Sequence, residues 1–451
     1  MIWVSILHYT LGVPPYRTGG LTKYSIDLME TELEFGYKVC LLFPGSYQLS
    51  GKSKIKRKSD YNDITLFELI NPLPIPLLNG IGEAKLFMKP NNEHLFLEFL
   101  SDNHIHLVHV HTLMGLPIEF LLAAKRLKIK IIYTSHDYYG LCPQILAGDI
   151  EYLATNCDVS CSVCGDSPFS KKLLVAMQTK TYKLIKDTQV VKFLRKRKKN
   201  SVAAKKRQNY STEENRNQIK LRNYYLQMFS LVDLFHFNSE LAKVEFEKFL
   251  QCDGVVVPIT HKSIEDRRKE YIVTKNEPLK ITYLGPQEVY KGFNLIYNTF
   301  QRLLEENIND WHLNFYGDDR EPKDYNDYYF SFKGRYQQQQ LMEIFNCTDL
   351  LVVPSVWKET FGFVALEALS YGIPILFSTN VGSSELINDN VTGFIFNPDV
   401  NDLKVKIQEL LENRELINQV NKNILNMDIT FDMKRHTKRI LELYRKAGYT
   451  E

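Results

Sequence analysis

One segment is the most informative in the chain: Pro354-Ser-Val-Trp-Lys-Glu-Thr-Phe-Gly-Phe-Val-Ala-Leu-Glu-Ala-Leu-Ser-Tyr-Gly-Ile-Pro374. The segment Asp349–Val353 before it is apolar after its first residue and predicts a buried strand, and a helix is predicted to begin close to Gly362. Thr360 is the expected N-cap of that helix. The first N–H groups of a helix are unpaired and carry the positive end of its dipole. The segment therefore predicts a binding site for a diphosphate.

Two carboxylates flank the predicted start of this helix. Glu359 lies in the loop and Glu367 lies about a turn and a half into the helix. A rise of about 1.5 Å per residue places them on the order of 10 Å apart, one on each side of the helix end. A nucleotide-sugar has hydroxyl groups on both sides of its diphosphate, and carboxylates accept hydrogen bonds from hydroxyls well. The alternative is that both are ordinary surface acids.

Strand and helix patterns alternate along most of the 451 residues, which is typical of parallel sheets. The predicted fold class is α/β, with two doubly wound Rossmann-like domains that face a cleft. Residues 1–258 are predicted to form the N-terminal domain, with a basic helical insert at about 140–228. Residues 279–428 are predicted to form the C-terminal domain. A final helix within 429–451 is expected to pack back on the N-terminal domain.

The composition is that of an ordinary globular protein. Apolar residues make up 44% and charged residues 24% of the chain, and the net charge is +3, so disordered and fibrous classes are excluded. No run of residues approaches the length of a membrane span, and the first residues lack the basic region of a signal peptide. We therefore expect a cytoplasmic protein.

The Glu-x7-Glu pattern, preceded by Pro-Ser and followed by Glu-Ala-Leu-x-x-Gly-x-Pro, resembles the retaining nucleotide-sugar glycosyltransferases of family GT4, which have the GT-B fold. Other segments in the same order add to the likeness and cover nearly the whole chain except the insert. They are Gly19-Gly20, Val108-His-Val-His111, Thr134-Ser-His-Asp137, Leu284-Gly-Pro-Gln-Glu-Val-Tyr-Lys-Gly292, His312–Gly317, Val381-Gly-Ser-Ser-Glu385 and Asn390-Val-Thr-Gly-Phe394.

The resemblance implies that residues 1–258 form the acceptor domain and residues 279–428 the nucleotide-sugar donor domain. It also implies three catalytic residues. Lys291 would neutralise the donor diphosphate, Glu359 would contact the transferred sugar and stabilise positive charge at its anomeric carbon, and His136 would reach the sugar or its phosphate. Glu367 would bind the ribose hydroxyls. The implied donor-binding set is Gly19, Gly20, Gly285, Lys291, Lys333, Arg335, Phe361, Gly362, Phe363, Val364 and Glu367.

Each of these roles has a plainer alternative. Lys291 can be a solvated loop lysine, His136 a structural histidine at a strand end, and Gly19-Gly20 a simple turn. For His109 and His111, which alternate on a short strand, packing in the core or hinge is preferred over chemistry.

The sequence departs from the family pattern at Pro286, where the family usually has an arginine. Lys333 or Arg335 is expected to supply the missing positive charge, or the helix end carries more of it. The resemblance implies chemistry without a metal ion, because a helix end and a lysine stabilise the leaving diphosphate electrostatically. Asp318-Asp319 is interpreted as a loop turn.

The implied reaction is hexosyl transfer with retention from a nucleotide-sugar. A UDP-linked donor is expected from what is common in the family, and the acceptor is expected to be a lipid-linked saccharide for a surface polysaccharide. Two alternatives stay open: a protein or soluble-sugar acceptor, and a non-catalytic partner subunit that keeps the fold.

Four of the seven cysteines are close together in the sequence: Cys142, Cys157, Cys161 and Cys164. Their spacing suits a tetrahedral thiolate site, for which a structural zinc ion is the usual occupant. An iron–sulfur cluster is possible from ligand type alone. Incidental thiols and redox disulfides are the alternatives.

Nine basic residues in the insert follow one another without an intervening acid: Lys192, Arg195, Lys196, Arg197, Lys198, Lys199, Lys205, Lys206 and Arg207. Apolar residues alternate with them, which favours an amphipathic helix on an anionic membrane surface. This predicts a peripheral position on the inner face of the cell membrane. A solvated insert is the alternative, and nucleic acid is not expected as a partner because no nucleic-acid fold motif accompanies the charge.

Overall fold

The chain divides into two α/β units in a computed structural model that describes residues 4–48, 51–76, 81–142, 170–179, 182, 188, 212–322, 325–429 and 431–448. Unit 1 comprises residues 1–237, 243–257 and 433–451, and unit 2 comprises 238–242 and 258–432. Among the described residues, no helix is both long enough and apolar enough to cross a bilayer.

Unit 1 is built on an eight-stranded sheet of order β3-β4-β2-β1-β5-β6-β7-β8, in which only the β3–β4 pair is antiparallel. Strand order reverses direction between β1 and β5, so the loops after these strands meet at the carboxyl edge of the sheet. The strands are Ser5–Tyr9 (β1), Lys38–Pro44 (β2), Lys54–Arg57 (β3), Thr65–Ile70 (β4), Leu107–Val110 (β5), Lys130–Ser135 (β6), Leu234–Phe237 (β7) and Gly254–Val256 (β8).

Helices cover the sheet of unit 1. The last of them packs against the first, which places the C-terminal segment in this unit. Their bounds are Gly20–Glu34 (α1), Glu93–Asp102 (α2), Ile118–Arg126 (α3), Lys171–Met177 (α4), Thr212–Ser230 (α5), Glu240–Glu247 (α6), which begins in unit 2 and ends in unit 1, and Met433–Lys446 (α12).

Helix α5 lies in the part of the sequence that was interpreted as an insert, yet it belongs to the core. Leu221, Tyr225 and Phe229 on this helix are buried. The Arg222 guanidinium donates through Nε to the carbonyl oxygen of Leu141 at 3.0 Å. The insert was predicted to be helical, but its polar composition hid the burial of this helix, because only one stripe of its surface is apolar.

Unit 2 has a six-stranded, fully parallel sheet of order β11-β10-β9-β12-β13-β14. The chain moves outward from β9 on one side and from β12 on the other, so the switch point lies between these two strands. The elements are Leu279–Leu284 (β9), Phe293–Glu305 (α7), Trp311–Tyr316 (β10), Phe330–Phe332 (β11), Leu341–Asn346 (α8), Leu350–Val353 (β12), Phe363–Leu369 (α9), Ile375–Ser378 (β13), Phe394–Phe396 (β14), Val400–Glu412 (α10) and Glu415–Leu425 (α11).

The alternation predicted from the sequence is confirmed, but four strands were not predicted. Strands β3, β11 and β14 have three or four residues, and β3 is an exposed, basic edge strand. Strand β4 is buried and was also not predicted. Short edge strands lack the apolar run that identifies a central parallel strand.

Candidate functional site

The loops after β9 and β12 bring two charged residues together at the switch point of unit 2. Lys291 ends a 3₁₀ turn in the loop after β9, and Glu359 lies in the loop after β12. Gly292 follows the lysine with φ at +77°, and a Cβ there would lie 1.8 Å from the carbonyl oxygen of Pro354. Only glycine fits at this position, so it allows the close approach of the two loops.

Lys291 and Glu359 form a partly buried ion pair. The Lys291 ammonium Nζ lies 2.5 Å from Glu359 Oε1, and the side chains are 30% and 21% exposed. Ser355 donates from Oγ to Glu359 Oε2 at 2.8 Å. Burial alone would raise the pKa of Glu359, but the charge and hydrogen bond of Lys291, with the bond from Ser355, outweigh burial and lower it. Glu359 is therefore ionised at neutral pH.

The backbone around Glu359 is fixed on both sides. The Glu359 N–H donates to the carbonyl of Asn380 at 2.8 Å, and the Glu359 carbonyl accepts from Gly382 at 2.9 Å. Helix α9 starts four residues later with Gly362, not Thr360, at its N-cap, so that part of the prediction is wrong. Gly362 has φ at +94° and provides no capping side chain. The first N–H groups of α9 therefore receive no side-chain cap.

Glu367 is buried in α9 and has two polar neighbours. His261 Nε2 lies 3.2 Å from Glu367 Oε1, and the Gln338 amide donates to the same oxygen at 3.1 Å. The His261 ring also packs edge-on against Phe363, with ring centroids 5.0 Å apart. Sequence reasoning identified Glu367 but missed His261 and Gln338, which lie outside the segments that carry the resemblance.

A second basic side chain, Arg320, approaches the loop after β9. Arg320 donates through one guanidinium nitrogen to the carbonyl oxygen of Gln287 at 2.8 Å and to Glu288 Oε1 at 3.1 Å. It also pairs with Asp318, whose pKa is held low, at about 2, by Arg320 and by backbone N–H groups against the opposing effect of burial. Arg320 thus lies beside the loop in which Pro286 replaces the family's arginine.

The two residues predicted to compensate for Pro286 are both exposed. Arg335 is 77% exposed and pairs with Asp319 at 3.1 Å. Lys333 directly follows β11, and its N–H donates to the carbonyl of Phe315 at 2.8 Å. Phe361 is 2% exposed and packs edge-on against Phe363, so its ring belongs to the core of unit 2. Gly285 follows β9, where a Cβ would lie 3.0 Å from the Tyr283 hydroxyl.

Val364 lies on α9 in unit 2, and unit 1 holds Gly19, Gly20 and His136. Gly19 has φ at +116° and caps α1, which begins at Gly20. His136 directly follows β6, and its Nε2 lies 3.2 Å from His111 Nδ1. Burial, with a smaller effect from His236, lowers the pKa of His136 to about 3, so the ring is neutral at pH 7. His109 and His111 are fully buried, as expected for core residues.

Two predictions fall largely outside the described residues. Of the four clustered cysteines, only Cys142 is described. It is buried in the segment after β6, where its backbone forms an isolated β-bridge with Tyr139. Cys157, Cys161 and Cys164 lie outside the described part of the chain, as do the nine basic residues of the insert. The zinc site and the membrane-binding surface therefore stay predictions.

Comparisons with known proteins show a similarity to glycosyltransferases. Residues 264–427 match the family model described as "Glycosyl transferases group 1". The sulfoquinovosyl transferase SQD2 of Arabidopsis thaliana is 29% identical over 178 residues, which is 37% of this chain and 34% of that protein. The lipopolysaccharide 1,2-N-acetylglucosaminetransferase of Salmonella typhimurium is 27% identical over 95 residues, 21% of this chain and 22% of that protein. The matched segments thus span only about a fifth to a third of these relatives.

The fold itself is shared along the full length. HepE of Anabaena, solved in complex with UDP, aligns over 99% of this chain and 100% of its own, with a TM-score of 0.58 and 12% identity. Sucrose-phosphate synthase of Thermosynechococcus elongatus aligns over 98% of both chains, with a TM-score of 0.56 and 14% identity. These likenesses confirm the GT-B fold.

Proposed function

Because residues 264–427 match the family model of the group 1 glycosyl transferases, we propose that this chain transfers a hexose from a nucleotide-sugar to a saccharide acceptor with retention at the anomeric carbon. The observation that carries the proposal is the Lys291–Glu359 pair at the switch point of unit 2. Ligands of doubly wound sheets bind at this point, outside the carboxyl ends of the strands. A UDP-linked donor is proposed because the related fold of HepE was solved with UDP.

Lys291 is the group that meets the diphosphate. Its ammonium is a compact charge with three donors and already lies in the loop that Gly292 holds against Pro354. The N–H groups at the start of α9 receive no side-chain cap and add a second, weaker attraction for the anion. Together they stabilise the negative charge that develops on the leaving diphosphate.

Glu359 is the group that faces developing positive charge. An ionised carboxylate stabilises an oxocarbenium-like anomeric carbon, and Lys291 and Ser355 keep Glu359 ionised and in one orientation. In the proposed reaction, the bond from the anomeric carbon to the diphosphate oxygen breaks. The acceptor oxygen attacks from the same face, and its proton passes to the departing phosphate oxygen. No protein nucleophile is required.

Glu367 is proposed to accept hydrogen bonds from the ribose hydroxyls. His261 and Gln338 both approach its Oε1, which orients the carboxylate. The role of His136 toward the donor stays a prediction from the resemblance.

The proposed acceptor is a lipid-linked saccharide of a surface polysaccharide. One relative is by name a lipopolysaccharide glycosyltransferase, and the basic run 192–207 would attract an anionic membrane. Flotation with vesicles containing anionic phospholipid tests this, with the nine basic residues neutralised as the comparison. Equal flotation of both proteins would favour a soluble or protein acceptor.

Nucleotide release tests the enzymatic proposal. The wild type should hydrolyse or transfer from at least one nucleotide-hexose, and Lys291→Met and Glu359→Gln should each lower release at least 100-fold. Lys280→Met is the matched control, because Lys280 forms an ion pair with exposed Glu277 in the same unit. A thermal-shift screen with UDP, GDP, ADP and dTDP identifies the nucleotide. A chain that binds a nucleotide but forms none from any nucleotide-hexose would be a non-catalytic partner.

A further inference from the structure

Unit 1 contains a buried hydrogen-bonded network of histidines that the proposed reaction does not use. Five strand-end or strand histidines take part, together with Glu32 on α1, Thr134 on β6 and Tyr444 on α12. Four of the histidines and Glu32 are fully buried. We call this set the histidine network: His8, Glu32, His109, His111, Thr134, His136, His236 and Tyr444.

Eight hydrogen-bond links join these residues within the part of the chain that the structure describes. The first arm begins at the carbonyl of Val257, which lies 2.8 Å from His236 Nε2, and continues from His236 Nδ1 to the Thr134 hydroxyl at 2.9 Å. The Thr134 hydroxyl lies 2.7 Å from His109 Nε2. His109 Nδ1 lies 2.8 Å from the Tyr444 hydroxyl, which lies 2.7 Å from Glu32 Oε1. The other arm runs from Glu32 Oε2 to His8 Nε2 (2.7 Å), His8 Nδ1 to His111 Nε2 (3.0 Å) and His111 Nδ1 to His136 Nε2 (3.2 Å).

A proton count decides how the links are made. Each neutral imidazole and each hydroxyl supplies one proton, so the five histidines, Thr134 and Tyr444 supply seven protons for eight links. With Glu32 ionised, Tyr444 donates to it, and the donors along that arm then all point toward Glu32. His236 Nε2 would be left as a lone pair facing the Val257 carbonyl at 2.8 Å. Two acceptors in contact are repulsive, so the network needs one more proton.

The extra proton is best placed on Glu32. A neutral Glu32 donates from Oε1 to the Tyr444 hydroxyl, which donates to His109. His109 then donates to Thr134, and Thr134 to His236. His236 Nε2–H finally donates to the carbonyl oxygen of Val257, so every link of this arm has a donor and an acceptor. Placing the proton on an imidazole instead would bury two opposite charges. Burial and neighbouring histidines lower the pKa of His109 and His111 well below the usual range. Burial lowers the pKa of His236 to about 4.

We propose that Glu32 is a neutral carboxylic acid and a positioning residue, which through His8 and His111 holds His136 in the tautomer with its proton on Nε2. Glu32 Oε2 remains an acceptor for His8, so the second arm has only one consistent direction. His136 Nε2–H donates to His111, and His136 Nδ1 is therefore an acceptor. Any group that meets Nδ1, whether it belongs to the chain or, if the proposed function is correct, to a ligand, must therefore be a donor, such as a hydroxyl.

Histidine-selective ¹⁵N NMR on the ligand-free full chain tests the tautomer. The Nε2 of His136 should give the shift of a protonated nitrogen and Nδ1 that of a lone-pair nitrogen, with the signal assigned by its loss in His136→Gln. An Nδ1-protonated ring or an imidazolium at pH 7 would overturn the proposal. The measurement needs neither donor nor activity, so a failure of the proposed function would not affect it.

Two substitutions of Glu32 test its role. Glu32→Gln places a carbonyl toward His8 and an NH₂ donor toward Tyr444, so His136 should keep its single tautomer. Glu32→Leu removes the acceptor, and a folded variant should show both His136 tautomers. A single unchanged tautomer in Glu32→Leu would refute the positioning role.

Infrared spectroscopy tests the proton itself and also covers the case in which Glu32→Leu does not fold. The wild type minus Glu32→Gln difference at pH 7 should show the C=O band of a protonated carboxyl group. Glu34→Gln, on the same helix but 42% exposed, is the matched control and should show carboxylate bands only. Carboxylate bands alone in the Glu32 difference would overturn the proposal.

Discussion

Replacing Lys291 by methionine should destabilise unit 2 in a way that depends on pH. At 2.5 Å, the Coulomb attraction between Lys291 Nζ and Glu359 Oε1 is about 7 kcal/mol at an effective dielectric constant near 20. Desolvation offsets most of it. Exposed pairs contribute about 1 kcal/mol or less, and breaking fully buried pairs costs about 3–5 kcal/mol. With side chains 30% and 21% exposed, we expect Lys291→Met to cost about 2 kcal/mol at pH 7.

The sign of the pH dependence follows from Glu359. In the wild type its pKa is lowered from 4.5, so its stabilising contribution is complete above pH 4.5 and is lost as pH falls through the lowered pKa. In Lys291→Met, burial acts without the cation and the pKa should rise above that reference. Protonation then relieves the buried charge, so the loss caused by the substitution should shrink between pH 7 and pH 4, by at most about 1.4 kcal/mol per pH unit.

Urea unfolding at several pH values measures this difference, with tryptophan fluorescence as the probe because Trp311 and Trp357 both lie in unit 2. The double variant Lys291→Met/Glu359→Gln should be more stable at pH 7 than Lys291→Met alone, because it leaves no unpaired buried charge. Lys280→Met should change stability by less than about 0.5 kcal/mol. A loss that is equal at every pH, or strictly additive single substitutions, would refute the reasoning.

Three further predictions concern other parts of the chain. Gly292→Ala should prevent correct packing of the loop after β9 and lower the free energy of unfolding by about 2 kcal/mol or more, since the new Cβ would overlap the Pro354 carbonyl. Gly36→Ala should lower it by only about 1 kcal/mol, because Gly36 also has a positive φ but has open space for a Cβ. Thermal unfolding measures both. Equal losses would contradict that account. Glu367→Ala should cost about 1–3 kcal/mol, since buried His261 loses its partner at Nε2, and should weaken UDP binding; unchanged stability in denaturant titration would contradict it. Elemental analysis of the purified chain should find about one zinc ion if the clustered cysteines bind metal, and a metal-free chain would leave them as thiols or disulfides.

The parallel sheets could be predicted from local patterns, and the resemblance pointed to Lys291 and Glu359, although not to the ion pair between them. Apolar runs mark central strands, and Lys291 and Glu359 follow two such runs that become neighbours at the switch point. The motif order along the chain then indicated the family. Helix start signals were less reliable: Thr360 is a good capping residue, but Gly362 takes the N-cap position.

The residues that were missed depend on long-range contacts. Arg320 reaches the Pro286 loop from the end of β10, and His261 reaches Glu367 from 106 positions earlier. The histidine network joins β1, β5, β6 and β7 with α1 and α12, so no single segment reveals it. Side chains that meet only after folding leave no periodic signal in one sequence, and a buried histidine looks like any other strand residue.

Isothermal titration of UDP and uridine into the wild type and Lys291→Met tests the central claim most directly, because the two ligands differ only by the diphosphate. If Lys291 binds that group, the substitution should weaken UDP about 10- to 100-fold, the effect of losing one charge-assisted hydrogen bond, and leave uridine unchanged. Equal UDP affinity in both proteins, or no binding of any nucleoside diphosphate to the wild type, would contradict the account.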